Sequence, residues 1–189
     1  MNKEGAGMKM DNKGTDGILT RMRTGNQRFM ETADKALLAD LTENGQHPFA
    51  IVVCCSDSRV MPEAIFDASL GELFVIRVAG NVLDHHQLGS IEYAVEHLHC
   101  SHIIVLGHTG CGAVSAALNG CDERYIRYIT EDIQKAIGEE KDPYKACCLN
   151  VEHAVTRLKG DFRLHPEIGG VIIKGAVYDI RSGEVKWLC

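Results

Sequence analysis

The chain has no apolar run approaching the roughly 18 to 20 residues that a membrane-spanning helix needs. It has no basic run or face either. With 20 Lys and Arg against 26 Asp and Glu, the net charge is -6, which argues against a general binder of nucleic acid or of acidic membranes. The first fifteen residues lack the apolar stretch of a signal peptide, so the cytoplasm is the expected compartment. Without a secretory signal, the eight cysteines read as metal ligands or reduced thiols rather than as a disulfide framework. No internal repeat and no second domain is visible. What is present is a chain of 189 residues, 45% apolar, which is long enough to bury a real core as one soluble domain.

Residues 1–16 are polar and glycine-rich and are expected to form a flexible N-terminal arm, leaving 17–189 as the single domain. From Gly17 to about Lys35 the spacing of Ile18, Leu19, Met22 and Phe29 predicts an amphipathic helix, weakened by Gly25, that packs on a partner subunit. Phe49 to Cys54, Leu73 to Val78, His102 to Leu106 and Val171 to Val177 are rich in Val and Ile without polar alternation. Parallel strands buried on both faces have that pattern. Glu184 to Leu188 reads as an edge strand. Between them lie helical patterns: Pro62 ahead of Ile65 and Phe66; Ile91 to Leu98; Ala113 to Leu118; Ile126 to Ile137, ending at Gly138; and Val151 to Leu158, ending before Gly160. The alternation predicts an α/β fold with a mostly parallel central sheet flanked by helices.

In such a sheet, ligands bind outside the carboxyl ends of the strands. Cys55-Ser56-Asp57-Ser58-Arg59 follows one predicted strand and Gly107-His108-Thr109-Gly110-Cys111-Gly112 follows another, so neighbouring strands would bring both loops to one crevice. Cys55, His108 and Cys111 then form a candidate ligand set. Two thiolates and one imidazole suit zinc, and three protein ligands with a fourth position open is the catalytic pattern. The alternative is that both cysteines are small buried hydrophobes and His108 a satisfied loop histidine.

Beside an open zinc, Asp57 can accept a hydrogen bond from a zinc-bound hydroxide and Arg59 can keep Asp57 ionised and oriented. Asp57 could equally bind the metal and shut the site, or the two could be a surface ion pair of little consequence. Because two thiolates cancel the charge of the ion, the bound water is expected to be less acidic than at an all-histidine site, with activity rising on the alkaline side. Gly107, Gly110 and Gly112 match neither a P-loop nor a dinucleotide fingerprint. They read as a turn whose backbone N–H groups, with Gly112 at the helix start, approach a small oxyanion.

These two motifs, with Gly71-Glu72-Leu73-Phe74-Val75-Ile76-Arg77-Val78-Ala79-Gly80-Asn81 and Gly89-Ser90-Ile91-Glu92-Tyr93-Ala94-Val95, resemble the β-class carbonic anhydrases, with similarity running from about Gly25 to Asp179. The resemblance implies one zinc per chain on Cys55, His108 and Cys111, an Asp57–Arg59 dyad, and reversible hydration of carbon dioxide to bicarbonate and a proton. It implies a homodimer or a dimer of dimers, with N-terminal helices wrapping the neighbour and the active site near the subunit boundary. It also places the substrate contacts of the plant-like, open-site subgroup on Gln46, Phe74 and Tyr93. The bicarbonate-regulated subgroup has a tryptophan three residues before the first zinc cysteine, where this chain has Val52, so the open form is expected.

Cys54 departs from the family's small residue at that position; it reads either as an oxidation partner for Cys55 that would disable zinc binding or as a small hydrophobe facing the other side of its strand, and strand alternation favours the second. His85, His86, His97, His99 and His102 read as surface or interface residues, with a proton shuttle at 85–86 as the minority reading. Cys100, Cys121, Cys147, Cys148 and Cys189 show no ligand spacing. Two competing functions remain: a hydrolase of carbonyl sulfide or carbon disulfide on the same fold, and a non-catalytic zinc or thiol redox sensor.

Overall fold

The computed structural model describes residues 12–162 and 170–188, so residues 1–11 of the expected arm, and Cys189, lie outside the described residues. The chain divides into two compact units, Met1–Gly45 and Gln46–Cys189. The first contains α1 (Asn12–Thr32) and α2 (Lys35–Asn44). Helix α1 begins five residues ahead of the expected Gly17 and runs through Gly25. Its apolar residues Ile18, Leu19, Met22, Phe29 and Met30 are exposed. Helix α2 lies outside the expected elements, and its few half-buried leucines, Leu37, Leu38 and Leu41, do not define its start. Its start is set instead by Asp34, whose side chain accepts from the N–H groups of Ala36 and Leu37 at 2.9 and 3.1 Å.

The second unit holds the sheet: β1 (Ala50–Cys54), β2 (Leu73–Arg77), β3 (His102–His108), β4 (Ile172–Tyr178) and β5 (Val185–Leu188), in the order β2-β1-β3-β4-β5. The first four are mutually parallel and β5 runs antiparallel to β4. All five residues of β1 are buried, as a strand between two parallel neighbours requires. Among the described residues, five α-helices accompany the sheet: α3 (Pro62–Ile65), α4 (His85–Glu96), α5 (Gly112–Leu118), α6 (Ile126–Ile137) and α7 (Pro143–Phe162).

Strand alternation sorts the side chains into distinct clusters. Ile51, Val53, Ile103, Val105 and Ile173 face Ile91, Ala94 and Val95 of α4 and Val151, Val155 and Leu158 of α7. Val52, Cys54, Leu106 and Ala176 form a cluster on the opposite side with Val60. Helix α7 lies close on the sheet because two strand glycines admit it. A Cβ on Gly107 would fall 2.5 Å from Val151 Cγ2, and one on Gly175 would fall 2.7 Å from Val151 Cγ1. That packing also corrects the expected stop before Gly160, since α7 continues to Phe162. Tertiary burial of its apolar face offsets the roughly 1 kcal/mol that a glycine costs in a helix interior.

Candidate metal centre

Strands β1 and β3 are adjacent, with Cys54 paired to Leu106, so the segments that follow them emerge side by side at the carboxyl end of the sheet. The expected end of β3 at Leu106 is corrected. Pairing continues through Gly107 with Val177 and His108 with Tyr178, so His108 sits on the rigid strand end rather than in a loop. Cys55 directly follows β1, and Cys111 is the residue immediately before α5.

Cys55, His108 and Cys111 are all buried, and their ligand atoms lie within 4.8 Å of one another. It is the single such group of His, Cys, Asp and Glu side chains among the described residues. The two Sγ atoms are 3.9 Å apart, close to the ~3.8 Å that two bonds of ~2.3 Å at a tetrahedral angle would set. His108 Nδ1 lies 3.0 Å from the carbonyl oxygen of Thr109, which can only accept, so the ring proton resides on Nδ1. The lone pair of Nε2 is thereby presented, and Nε2 is buried without a hydrogen-bond partner among the described residues. An orphaned buried nitrogen is costly unless something binds it. A soft, borderline cation such as zinc fits this donor set.

The thiols rest on apolar ground, in a cluster with Val114, Ala117, Ile133, Ile137 and Ala146. The two sulfurs lie within hydrogen-bonding reach of each other. The interaction with the Cys111 thiol holds Cys55 below the ordinary thiol range against the opposing effect of burial, helped by the neighbouring His108 ring and by the N–H of Gly80 at 3.3 Å. The same interaction, together with burial, pushes Cys111 up. Cys54 differs in kind: it lies in the cluster on the opposite sheet face, and burial pushes its thiol up to about 12.

Asp57 and Arg59 form a bidentate pair, Arg59 Nε to Oδ1 at 2.9 Å and Nη2 to Oδ2 at 2.7 Å, and the backbone N–H of Arg59 also donates to Oδ1 at 3.0 Å. These hydrogen bonds, the guanidinium's first, hold the carboxyl well below the usual carboxylate range. Asp57 Oδ2 is 4.0 Å from His108 Nε2, so the ionised carboxylate faces the ligand triangle. Arg59 Nη2 reaches the Gly110 carbonyl oxygen at 3.4 Å and links the two loops.

Of the other expected contacts, Gly112 adjoins the cluster as the residue after Cys111, while Phe74 and Tyr93 lie apart from it. Gly112 is exposed at the first position of α5. Gln46 is exposed ahead of β1. Phe74 pairs in register with Ile51, about 13 Å along the strand from Cys55 at ~3.3 Å per residue. Its ring lies 6.3 Å from that of the exposed Tyr93, so those two are brought together, but beside each other rather than beside the thiols. His85 and His86 are exposed at the capped start of α4, and His97 stacks on Tyr93 at 5.2 Å. Four groups around the centre escaped sequence reasoning. Arg77 donates to the carbonyls of Cys55 and Asp57, Gly80 donates to Cys55 Sγ, Asn150 Nδ2 supports the Gly80 carbonyl at 2.8 Å, and the Cys147 thiol donates to the His108 carbonyl at 3.2 Å. A charged residue closing the apolar run of β2 was the available signal for Arg77.

Comparison with known proteins agrees with this geometry. The carbonic anhydrase family profile matches residues 50–185. A carbonic anhydrase of Mycolicibacterium smegmatis is 48% identical over 161 residues, spanning 78% of each chain. Among solved structures, the β-carbonic anhydrase CcaA matches with a TM-score of 0.77 and 30% identity over 89% of this chain and 86% of that one. The tetrameric β-carbonic anhydrases of Sordaria macrospora give 0.72 and 26% identity over 94% of this chain and 98% of theirs. Matching profile, relatives and fold, around a Cys-His-Cys cluster at the carboxyl end of a parallel sheet, place this chain in the β class of the carbonic anhydrase family.

Proposed function

We propose that the chain catalyses the reversible hydration of carbon dioxide to bicarbonate and a proton, with one zinc ion per chain held by Cys55, His108 and Cys111. The observation that carries the reading is the unpartnered, buried Nε2 of His108 converging with two thiols 3.9 Å apart, beside an ion-paired carboxylate. Zinc bound there supplies a Lewis acid that lowers the pKa of water, two thiolate ligands making that effect weaker than three imidazoles would. Asp57 Oδ2, the carboxylate oxygen nearest the triangle, accepts a hydrogen bond from the attacking water and so directs its remaining lone pair at the carbon. Arg59 holds both carboxylate oxygens, which keeps Asp57 ionised and would disfavour its binding to a metal held by the three ligands. Val52, in the position of the regulated subgroup's tryptophan, supports an open, constitutively active site.

The exposed apolar residues of α1 support packing on a partner subunit, in a homodimer or a dimer of dimers. Since Phe74 lies so far from Cys55 along its own protomer, Phe74, Tyr93 and Gln46 are proposed to line the substrate's approach at the subunit boundary, with the Gly112 N–H serving the oxyanion. No helix among the described residues is long and apolar enough to cross a membrane, and the cytoplasm is the proposed compartment.

The test is stopped-flow carbon dioxide hydration between pH 6.5 and 9 on protein whose zinc has been counted. Turnover with about one zinc per chain, rising toward alkaline pH, is expected. Full zinc without hydration would overturn the reading in favour of a carbonyl sulfide or carbon disulfide hydrolase or a zinc and thiol sensor, and a flat pH profile would overturn the account of the thiolate ligands.

A further inference from the structure

Where a strand ends, its ladder ends, and the carbonyl groups of the following loop lose their regular partners. The loop from Cys55 to Arg59 carries both a proposed zinc ligand and the acid that faces the ligand triangle, so its carbonyls bear directly on where those side chains point. Strand β2 pairs with β1 as far as Cys54 with Arg77, and the Val78 N–H adds a last bond to the Cys54 carbonyl at 3.1 Å. Beyond that point the side chain of Arg77 takes over. Its Nη2 donates to the Asp57 carbonyl oxygen at 2.7 Å and its Nε to the Cys55 carbonyl oxygen at 3.3 Å. One planar guanidinium thus spans the loop from ligand to acid.

Arg77 forms no ion pair among the described residues, although it ends an exposed strand position where a carboxylate partner would be ordinary. Its donors go to backbone instead. The Asp57 carbonyl oxygen also accepts from the Val60 N–H at 3.0 Å. Asp57 is therefore held at both ends: Arg59 grips the carboxylate and Arg77 the main chain. The planar fork of a guanidinium holds two carbonyls at a fixed separation, which a lysine ammonium, with its three donors on one nitrogen at the end of a flexible stem, does less well.

We propose that Arg77 is a positioning residue for the reaction, fixing the Cys55–Asp57 backbone so that the thiol and the carboxylate stay aligned on the metal centre. It touches neither substrate nor metal and acts through the loop. The proposal rests on the zinc-hydratase reading for its effect on rate, and on the hydrogen bonds alone for its effect on the loop.

The experiment compares zinc-loaded wild-type protein with Arg77→Gln, Arg77→Lys, Asp57→Asn and the Arg77→Gln/Asp57→Asn double variant. Two readouts are taken: zinc release to a colorimetric chelator, and kcat and KM for carbon dioxide hydration. Arg77→Gln is expected to release zinc about 10-fold faster and to lower kcat by about 10-fold or more, with KM held within twofold. Arg77→Lys should fall between Gln and wild type. In the Asp57→Asn background the kcat cost of Arg77→Gln should shrink to less than twofold, because the acid being aimed is gone; a merely structural residue would cost the same in both backgrounds. Zinc release and kcat within twofold of wild type for Arg77→Gln, an undiminished cost in the double variant, or full wild-type behaviour of Arg77→Lys would each overturn the proposal. If wild-type protein holds zinc and hydrates no carbon dioxide, while Arg77→Gln still accelerates zinc release, the hydratase reading falls and the clamp stands.

Discussion

Replacing Gly107 by alanine isolates one steric fact next to the metal centre. Gly107 has no positive φ, so alanine meets no backbone strain there, and the whole effect comes from the added methyl group. That carbon would sit 2.5 Å from Val151 Cγ2 and 3.1 Å from Cys147 Sγ. Apolar carbons in contact stand ~3.5–4.0 Å apart, so α7 or β3 must yield by about 1 Å. Val151 is fully buried and shares its cluster with Ala154, Val155 and Leu158 of the same helix, which leaves no flexible side-chain end to give way. Overpacking costs ~1–3 kcal/mol, and the upper end applies where a helix must move as a unit. About 3 kcal/mol in a chain of this size lowers Tm by roughly 6–12 °C. The displacement also loosens the Cys147 thiol from the His108 carbonyl, now 3.2 Å away, so zinc should be held less tightly. The assay is thermal unfolding at fixed protein and zinc concentration, with Val151→Ala as the partner substitution. Removing both γ carbons should reduce the Gly107→Ala penalty by at least ~1 kcal/mol. A Tm loss below ~2 °C, or an equal penalty with and without Val151, would refute close helix–strand approach as the reason for glycine at 107.

Cys111→Ser should lose zinc and hydration together, whereas Cys54→Ser, one residue from a proposed ligand but on the opposite sheet face, should keep about one zinc per chain and lose ~1–2 kcal/mol for a hydroxyl in an apolar cluster; atomic absorption and a urea melt separate the two. Asp57→Asn should retain zinc and lower kcat by about 10- to 100-fold, measured by stopped flow. Because Arg59 depresses the Asp57 pKa in the folded state, the carboxylate contributes stability above its unfolded pKa of ~3.9 and loses it as pH falls through the lower folded value. The difference in urea midpoint between wild type and Asp57→Asn, both metal-free, should therefore be constant near pH 6 and shrink below about pH 4. A difference that grows on acidification would contradict that sign.

The parallel sheet is legible along the chain, because strands buried on both faces leave runs of Val and Ile with no polar alternation, and four such runs are present. Sequence by itself also determined the donor types at Cys55, His108 and Cys111, which are a property of the residues alone. Helix α2 leaves only a short apolar pattern, Leu37, Leu38 and Leu41, none of them fully buried, which is too brief to mark a helix along the chain. The end of β3 was misjudged because Gly107 and His108 lack strand propensity; β4 supplies the partners that extend it. Gly160 reads along the chain as a helix end, yet the sheet-facing packing of α7 carries the helix past it. The burial of His108 Nε2 and the 3.9 Å between two sulfurs 56 residues apart exist only once β1 and β3 pair, whereas the His108 Nδ1 contact to the Thr109 carbonyl is local to the chain. Arg77 is the sharpest case. Read along the chain it is a charge at the end of a strand, and only the register of β2 on β1 sets its guanidinium against the loop carbonyls, since hydrogen bonds depend on distance and direction in space rather than on order in the chain.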